Sequence, residues 1–213
     1  KYHKLVENAK KPNGFWGKMM IKAMNKGHSS LTSWGLEHMN IERTATVLDI
    51  GCGGGKTVDR LCSIVANGKV YGIDYSELSV KSSKKLNSKN ILCNKAKILQ
   101  ASVSDMPFDD NTFDNITAVE TYYFWPDKEN DVKEVFRVLK QGGTVMLLFE
   151  MLRTDDDPFK WEKVENMLNI KSVTPQEIRA VLESAGFENI NTYTKEGTTW
   201  LCATAQKPKD DEN

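Results

Sequence analysis

The sequence lacks an excess of charge of either sign. Its 29 lysines and arginines are balanced by 29 aspartates and glutamates, so the formal net charge at pH 7 is zero. A protein built mainly to hold a nucleic-acid backbone is usually basic overall. We therefore do not expect nucleic acid as a partner.

The sequence also lacks paired cysteines and long apolar runs. Its four cysteines form no C-x-x-C pair and no metal-ligand pattern with the three histidines, which predicts reduced thiols, no metal site and a cytoplasmic location. No apolar run approaches the roughly 18 residues needed to span a bilayer, so we expect no membrane span. A length of 213 residues indicates one ordinary domain, as a monomer or a homodimer.

What the chain contains is an alternation of short β-rich runs with helical patterns. This alternation is typical of βαβ units and predicts an α/β fold with a mostly parallel sheet. Lys195-Glu196-Gly197 separates the last two runs at the spacing of a hairpin loop, so the last strand should run antiparallel to its neighbour. The seven predicted strands cover residues 46–50, 69–73, 96–101, 115–119, 144–149, 187–194 and 198–206.

Capping residues predict where several helices begin and end. Ser76 and Thr174 are expected to cap helix N-termini. Gly68 is expected to end the helix after the first strand. Gly142-Gly143 is expected to end the helix before the fifth strand.

The domain organisation follows from these elements. Residues 1–40 are predicted to form an N-terminal helical extension, which acts as a lid over a ligand or covers the edge of the sheet. Residues 41–207 form the main domain, with a small insertion at 150–173 from which Phe159 and Trp161 are predicted to line a substrate pocket. Residues 208–213 are predicted to be a disordered tail.

A glycine cluster between the first strand and the next helix indicates ligand binding. Glycines let the backbone approach a ligand closely, and a helix N-terminus offers free N–H groups. The dinucleotide fingerprint G-x-G-x-x-G would need a glycine where the chain has Lys56, which weakens a nicotinamide-binding interpretation. Asp49 precedes the glycines; a buried carboxylate is costly unless it is paired, here by a ligand ammonium or by the amides of the loop.

Four segments then resemble, in order, motifs of the class I S-adenosylmethionine-dependent methyltransferases. Residues 47–55, VLDIGCGGG, resemble the family's glycine motif, and residues 70–74 resemble its second strand with a terminal acidic residue. Residues 106–114 resemble its L-P-F…F-D stretch, and residues 134–143 its E-x-x-R-V-L-K-P-G-G run. The resemblance implies a Rossmann-like three-layer sandwich, with S-adenosylmethionine as cofactor and S-adenosylhomocysteine as product.

The resemblance also implies which residues bind the cofactor. The glycine loop would hold the methionine part, the end of the second strand would bind the ribose, and residues 102–104 would contact the adenine. Ser102 stands where the family often has an acidic residue, so this chain departs from the pattern at the adenine. The residues implied are Asp49, Gly51, Cys52, Gly53, Gly55, Asp74, Tyr75, Ser102, Val103, Ser104 and Glu120.

The sequence says less about which residues bind the acceptor of the methyl group. Residues 120–126 (ETYYFWP) follow the fourth strand, at the end of the sheet where such folds bind ligands. Four consecutive aromatic residues are too many for one core face, which favours substrate binding over packing against the next helix. Glu120 is expected to bind the amino group of the cofactor or to act as a base, and Tyr123 and His28 are the other catalytic candidates. For His28, a structural role is favoured over the catalytic one.

The leading functional hypothesis is methyl transfer to a small-molecule acceptor. An RNA or protein methyltransferase and a non-catalytic S-adenosylmethionine-binding protein are the alternatives. A nicotinamide-dependent oxidoreductase is disfavoured by Lys56 and by the closing hairpin.

Overall fold

The computed structural model describes residues 29–209, and within them the chain folds around a seven-stranded sheet. The strand order is β3-β2-β1-β4-β5-β7-β6, and β7 alone runs antiparallel to its neighbours. The predicted α/β class, the number of strands and the antiparallel last strand are thus confirmed. The strands are β1 (Thr46–Ile50), β2 (Lys69–Asp74), β3 (Ala96–Gln100), β4 (Phe113–Val119), β5 (Leu139–Phe149), β6 (Glu188–Thr194) and β7 (Leu201–Gln206).

Helices connect the strands and cover both faces of the sheet. A 3₁₀ turn, Tyr122–Phe124, follows β4. No helix within residues 29–209 is both long enough and apolar enough to cross a membrane. The helices are α1 (Ser29–Leu36), α2 (Lys56–Ile64), α3 (Glu77–Leu86), α4 (Ser88–Leu92), α5 (Lys128–Val138), α6 (Glu162–Leu168) and α7 (Pro175–Ser184).

Local signals account for the starts of two helices. The Ser76 hydroxyl accepts a hydrogen bond from Ser79 N at the start of α3. At α7, Thr174 and Glu177 form a reciprocal capping box, and Pro175 occupies the first turn. A capping box satisfies two N–H groups that have no partner within the helix. The predicted N-caps at Ser76 and Thr174 are both confirmed.

Two predicted helix ends are wrong. Helix α2 ends at Ile64, before Gly68, whose role is to let the chain pass close to β1: a Cβ at Gly68 would lie 2.0 Å from Ala45 O. Helix α5 ends at Val138 and β5 begins at once. The reason is that residues 111 and 112 donate to the carbonyls of Arg137 and Val138, which draws this end of the helix into the sheet.

The described part of the N-terminal extension covers the sheet. Leu31 and Trp34 of α1 pack with Met146, Leu148 and Cys202 of β5 and β7 in one buried cluster. Of the two alternatives for the extension, residues 29–36 therefore fit the helix that covers the sheet. Residues 1–28, with His28 and most of the predicted lid, lie outside the described residues, as do residues 210–213 of the predicted tail.

A buried lysine joins the end of α5 to the end of β7. Lys207 is 8% exposed, and its Nζ donates to Phe136 O and Leu139 O at 2.8 Å and to Asn111 Oδ1 at 2.8 Å. The last carbonyls of a helix have no partner within it and attract a cation. Lys207 thus closes α5 from the far end of the chain.

We expect Lys207→Met to lower the free energy of unfolding by about 2–3 kcal/mol, because it leaves buried carbonyl groups without a donor. Urea unfolding followed by circular dichroism measures the change. The control is Lys209→Met, at an exposed site two residues on, with an expected change within about 0.5 kcal/mol. Equal effects of the two substitutions would contradict the helix-closing role.

Candidate active site

A cavity of about 620 Å³ opens at the carboxyl ends of the strands. It lies where β1 separates β2 from β4, the point at which the strand order reverses and where open α/β sheets bind their ligands. Its volume is typical of small-molecule sites, roughly 300–1,000 Å³. The residues that line it are Ile50, Gly51, Ile73, Asp74, Tyr75, Ala101, Ser102, Val103, Thr121, Tyr123, Phe124, Trp125, Pro126, Lys128, Asn169, Ile170 and Lys171.

Two glycines of the loop after β1 are required by close contacts. Gly51 has φ +67°, and a Cβ there would lie 2.1 Å from Thr121 Oγ1. Gly55 has φ +85° at the start of α2, and a Cβ there would lie 2.4 Å from Ser83 Oγ. The loop therefore fits between the end of β4 and helix α3 only with glycine at both positions.

Asp74 connects the end of β2 to this loop. Its Oδ2 accepts from Gly53 N and its Oδ1 from Ser76 N, both at 2.9 Å. Burial raises the pKa of the carboxyl above its usual range, and the two backbone N–H groups act in the opposite direction. Asp74 thus holds the glycine loop while also lining the cavity wall.

Asp49 lies below the cavity and is not part of its wall. Its Oδ1 accepts from Thr117 Oγ1 of the adjacent strand at 2.7 Å, and not from the amides of the glycine loop; a bond to a ligand ammonium stays a prediction. Burial raises the pKa of Asp49 to about 7, and the hydrogen bond from Thr117 opposes that shift. The Cys52 side chain also points away from the wall, towards Ser83.

The segment predicted to contact adenine reaches the wall with two of its three residues. Ser102 and Val103 line the cavity, whereas Ser104 does not. The Ser102 hydroxyl accepts a hydrogen bond from Ser104 N at 3.1 Å. Its role towards a cofactor stays a prediction.

A clamp from α5 holds the chain just beyond this segment. Arg137 donates to the carbonyls of Met106 and Phe108 and to the carboxylates of Glu134 and Asp110. Glu134 Oε1 in turn accepts from Met106 N. The glutamate and arginine of the E-x-x-R motif thus shape the loop after β3 and do not line the cavity.

The aromatic residues after β4 belong to the core and to the cavity wall at once. Tyr122, Tyr123 and Trp125 are each about 5% exposed or less and pack in the main core cluster, and Phe124 is half-buried against it. Three of the four consecutive aromatic residues therefore pack in the core, and Phe124 is the one that does not bury fully there. Tyr123, Phe124 and Trp125 nevertheless line the cavity, because the 3₁₀ turn lies between the core and the opening.

Glu120 and Tyr123 form a hydrogen-bonded pair beside the cavity. Glu120 has φ +56°, and its Oε1 accepts from Tyr123 Oη at 3.1 Å and from Glu150 N. The Tyr123 hydroxyl also accepts from Met151 N at 2.9 Å. Burial raises the pKa of Glu120 to about 8 and that of Tyr123 well above its usual range.

These contacts bear on the catalytic roles predicted for Glu120 and Tyr123. Tyr123 lines the wall, but its hydroxyl is engaged on both sides; Glu120 is not among the lining residues. Both hydrogen bonds recorded for Glu120 fall on Oε1, so a base or an amino-binding role would use its second oxygen, Oε2. The catalytic roles of Glu120 and Tyr123 stay predictions, as does that of His28, which lies outside the described residues.

Several wall residues were missed by the sequence analysis. Lys128 begins α5, and residues 169–171 come from the insertion after β5. The two insertion residues that were predicted to line a pocket are not part of the wall. Phe159 is 74% exposed, and Trp161 donates its Nε1–H to Leu152 O. Pro126-Asp127 is a recognisable helix start and could have placed Lys128 near the strand end. Nothing in the irregular insertion indicates residues 169–171.

Across residues 29–209, no group of three or more histidine, cysteine or acidic side chains is arranged to hold a metal ion. The four cysteines are free, and only Cys93 is exposed.

Comparison with known proteins adds independent information. A family model described as "Methyltransferase domain" matches residues 48–147. The chain is 27% identical to the uncharacterized methyltransferase YdaC of Bacillus subtilis over 183 residues, which cover 85% of this chain and 93% of that protein. It is 30% identical to the ubiquinone/menaquinone biosynthesis C-methyltransferase UbiE of Cronobacter sakazakii, covering 74% of this chain and 72% of that one.

Other similar proteins are longer, and solved structures share the fold. The chain spans 42% of the length of the sterol 24-C-methyltransferase of Pneumocystis carinii, to which it is 28% identical over 162 residues. The crystal structure of a SAM-dependent methyltransferase from Aquifex aeolicus superposes with a TM-score of 0.68 at 22% identity, covering 88% of this chain and 96% of that one. The common architecture therefore extends over nearly all of both chains.

The raised pKa of Glu120 predicts a pH-dependent stability. An exposed glutamate has a pKa of about 4.3, so between that value and about 8 the unfolded chain ionises the group while the folded chain keeps it protonated. The free energy of unfolding then falls as pH rises, by at most about 1.4 kcal/mol per pH unit for one group. We expect Glu120→Gln to reduce this loss of stability with rising pH. Part of the loss should remain, because the pKa of Asp49 is raised as well.

Urea unfolding at several pH values between about 5 and 8 measures this slope. The matched control is Glu196→Gln in the exposed hairpin loop, which should keep the slope of the unsubstituted protein. A slope that Glu120→Gln leaves unchanged would show that Glu120 is already ionised in the folded chain.

Proposed function

Since the chain belongs to the class I S-adenosylmethionine-dependent methyltransferases, we propose that it transfers a methyl group to a small molecule held in the cavity beside the cofactor. The observation that carries this proposal is the single cavity that joins Gly51 and Asp74 to the aromatic residues after β4. One continuous space then accommodates both the methyl donor and an acceptor.

The glycine-loop end of the cavity suits the cofactor. A Cβ at Gly53 would meet no atom within 4 Å, so the backbone is open to a ligand there. Asp74 ends β2, about 20 residues after the glycines, where a carboxylate can accept bonds from both hydroxyls of a ribose. Each of its oxygens has a further lone pair beside the backbone N–H that it already accepts. We assign the ribose to Asp74 and the adenine to the wall at Ser102 and Val103.

Positioning is the main contribution expected of the chain. S-adenosylmethionine, when bound, supplies a methyl group on a sulfonium, which is a good leaving group. Holding donor and acceptor in line can contribute up to about 7–11 kcal/mol. Tyr123 supports this alignment, because its hydroxyl ties the turn after β4 to both Glu120 and Met151 and so keeps the wall rigid.

A small-molecule acceptor is supported by two observations. The cavity is bounded by aromatic side chains after β4 and, from a separate segment, by residues 169–171 of the insertion, which include the apolar Ile170. Walls on two sides suit a compact ligand more than a polymer. The related protein from Cronobacter sakazakii is named for quinone biosynthesis. The balanced net charge of the chain gives no support to an RNA substrate.

Cofactor binding is tested by calorimetry with S-adenosylhomocysteine. We expect Asp74→Ala to weaken binding at least about tenfold, or about 1.4 kcal/mol, because the ribose loses its acceptor and the Gly53 amide its partner. Asp156→Ala, at an exposed position in the insertion, is the charge-matched control and should bind as the unsubstituted protein does. Absence of binding at millimolar ligand would refute the proposed cofactor site.

The acceptor class is tested by incubation with S-adenosylmethionine that carries a labelled methyl group. Separate reactions contain a heat-treated metabolite extract, purified RNA or a protein fraction, and products are identified by mass spectrometry. We expect label in the metabolite fraction, and its loss with Asp74→Ala. Label that enters only RNA or protein would overturn the small-molecule assignment.

A further inference from the structure

The wall of the cavity has an uneven distribution of charge. We define the acceptor end as the lining residues that follow β4 or belong to the insertion: Thr121, residues 123–126, Lys128 and residues 169–171. Its charged side chains are Lys128 and Lys171, and the one carboxylate in the described wall, Asp74, lies at the opposite, glycine-loop end. The acceptor end is therefore apolar and aromatic with a positive charge.

Lys128 is held in place at this wall. Its Nζ donates to Trp125 O at 3.0 Å and to Tyr123 O at 3.3 Å, and lies 5.1 Å from the centre of the Tyr122 ring. An ammonium has three N–H bonds, so these contacts orient the group and leave one bond for a further acceptor. Burial lowers the pKa of Lys128, which means that an anionic partner would stabilise its charged form.

Two acidic groups lie near Lys128, and neither lines the cavity. Asp131 acts on Lys128 electrostatically from the next turn of α5. It is fully buried and does not line the cavity; its Oδ2 accepts from Asp127 N, and its Oδ1 has no hydrogen-bond partner among the described residues. Asp127 accepts from the backbone and the side chain of Asn130 as the cap of α5. Neither carboxylate presents an oxygen to the cavity beside Lys128.

Lys171 contributes less to the acceptor end. Its side chain is 79% exposed, and its Nζ lies 3.7 Å from Glu165 Oε2. An exposed charge interacts weakly with a ligand because water screens it. Lys128 is thus the dominant positive group at this end.

We propose that the acceptor is a compact aromatic or otherwise apolar molecule with one negatively charged group, such as a carboxylate or an ionised hydroxyl, that pairs with Lys128. This inference rests on the proposed function and specifies its substrate class. The aromatic wall binds the body of the molecule, and the ammonium selects its anionic group, since a charge pair is stronger where apolar walls exclude water. A cationic acceptor would be repelled.

The test compares two probes of nearly the same shape, 2-naphthoate and neutral 2-naphthamide, by calorimetry on protein saturated with S-adenosylhomocysteine. We expect the unsubstituted protein to bind the naphthoate about tenfold more tightly than the amide. Lys128→Met should bring the two affinities to within about twofold by weakening the naphthoate alone. Lys128→Arg should keep the preference, and Phe124→Ala should weaken both probes because it removes part of the apolar wall.

The matched control is Lys133→Met, which removes the same charge from an exposed position of the same helix and should keep the preference. Equal binding of the probes, binding of neither, or a preference that survives Lys128→Met would overturn the inference. A loss of S-adenosylhomocysteine affinity with Lys128→Met would also overturn it, by assigning the lysine to the cofactor. If the unsubstituted protein fails to bind S-adenosylhomocysteine, the proposed function itself fails, so the two failures are distinguishable.

Discussion

The close contact between the glycine loop and the start of the turn after β4 is the constraint on which the cavity depends. Gly51 leaves no room for a side chain beside Thr121, and Asp74 holds the same loop through Gly53 N. Strands β1, β2 and β4 are adjacent in the sheet, so these contacts bring three strand ends to one point. The cavity is the space that remains above them.

The two ends of the cavity differ in the contacts that hold their walls. At the glycine-loop end, hydrogen bonds from Gly53 N and Ser76 N hold the carboxylate of Asp74 in the wall. At the acceptor end, side chains that belong to the core also form the wall, as Tyr123 and Trp125 do. A change of substrate specificity at this end would therefore disturb core packing. The glycine-loop end is tied to the same core cluster, because Ile50, Ile73 and Val103 belong both to it and to the wall.

The shape of the cavity wall depends on contacts that lie far from it. Arg137 and Glu134 hold the loop after β3, and Lys207 closes the same helix at its end. Helix α5 also supplies Lys128 at its first turn. One helix thus links the loop near the predicted adenine site, the acceptor end and the last strand, which makes its position the chief mechanical requirement of the site.

The sequence by itself determined the strand pattern and the caps at Ser76 and Thr174, which are set by periodicity and by hydrogen bonds within a few residues. It also located the glycine loop and Asp74 through the spacing of their motifs, although the hydrogen bond between Gly53 and Asp74 spans 21 positions. Only the tertiary structure decided the partner of Asp49, which is Thr117 of another strand, the core packing of the aromatic turn, and the wall made by Lys128 and residues 169–171. Those contacts join residues distant in sequence, such as Asp49 and Thr117, 68 positions apart, or Tyr123 and Met151, 28 positions apart. Which side chains meet across such distances is decided by the packing of the whole sheet and its helices.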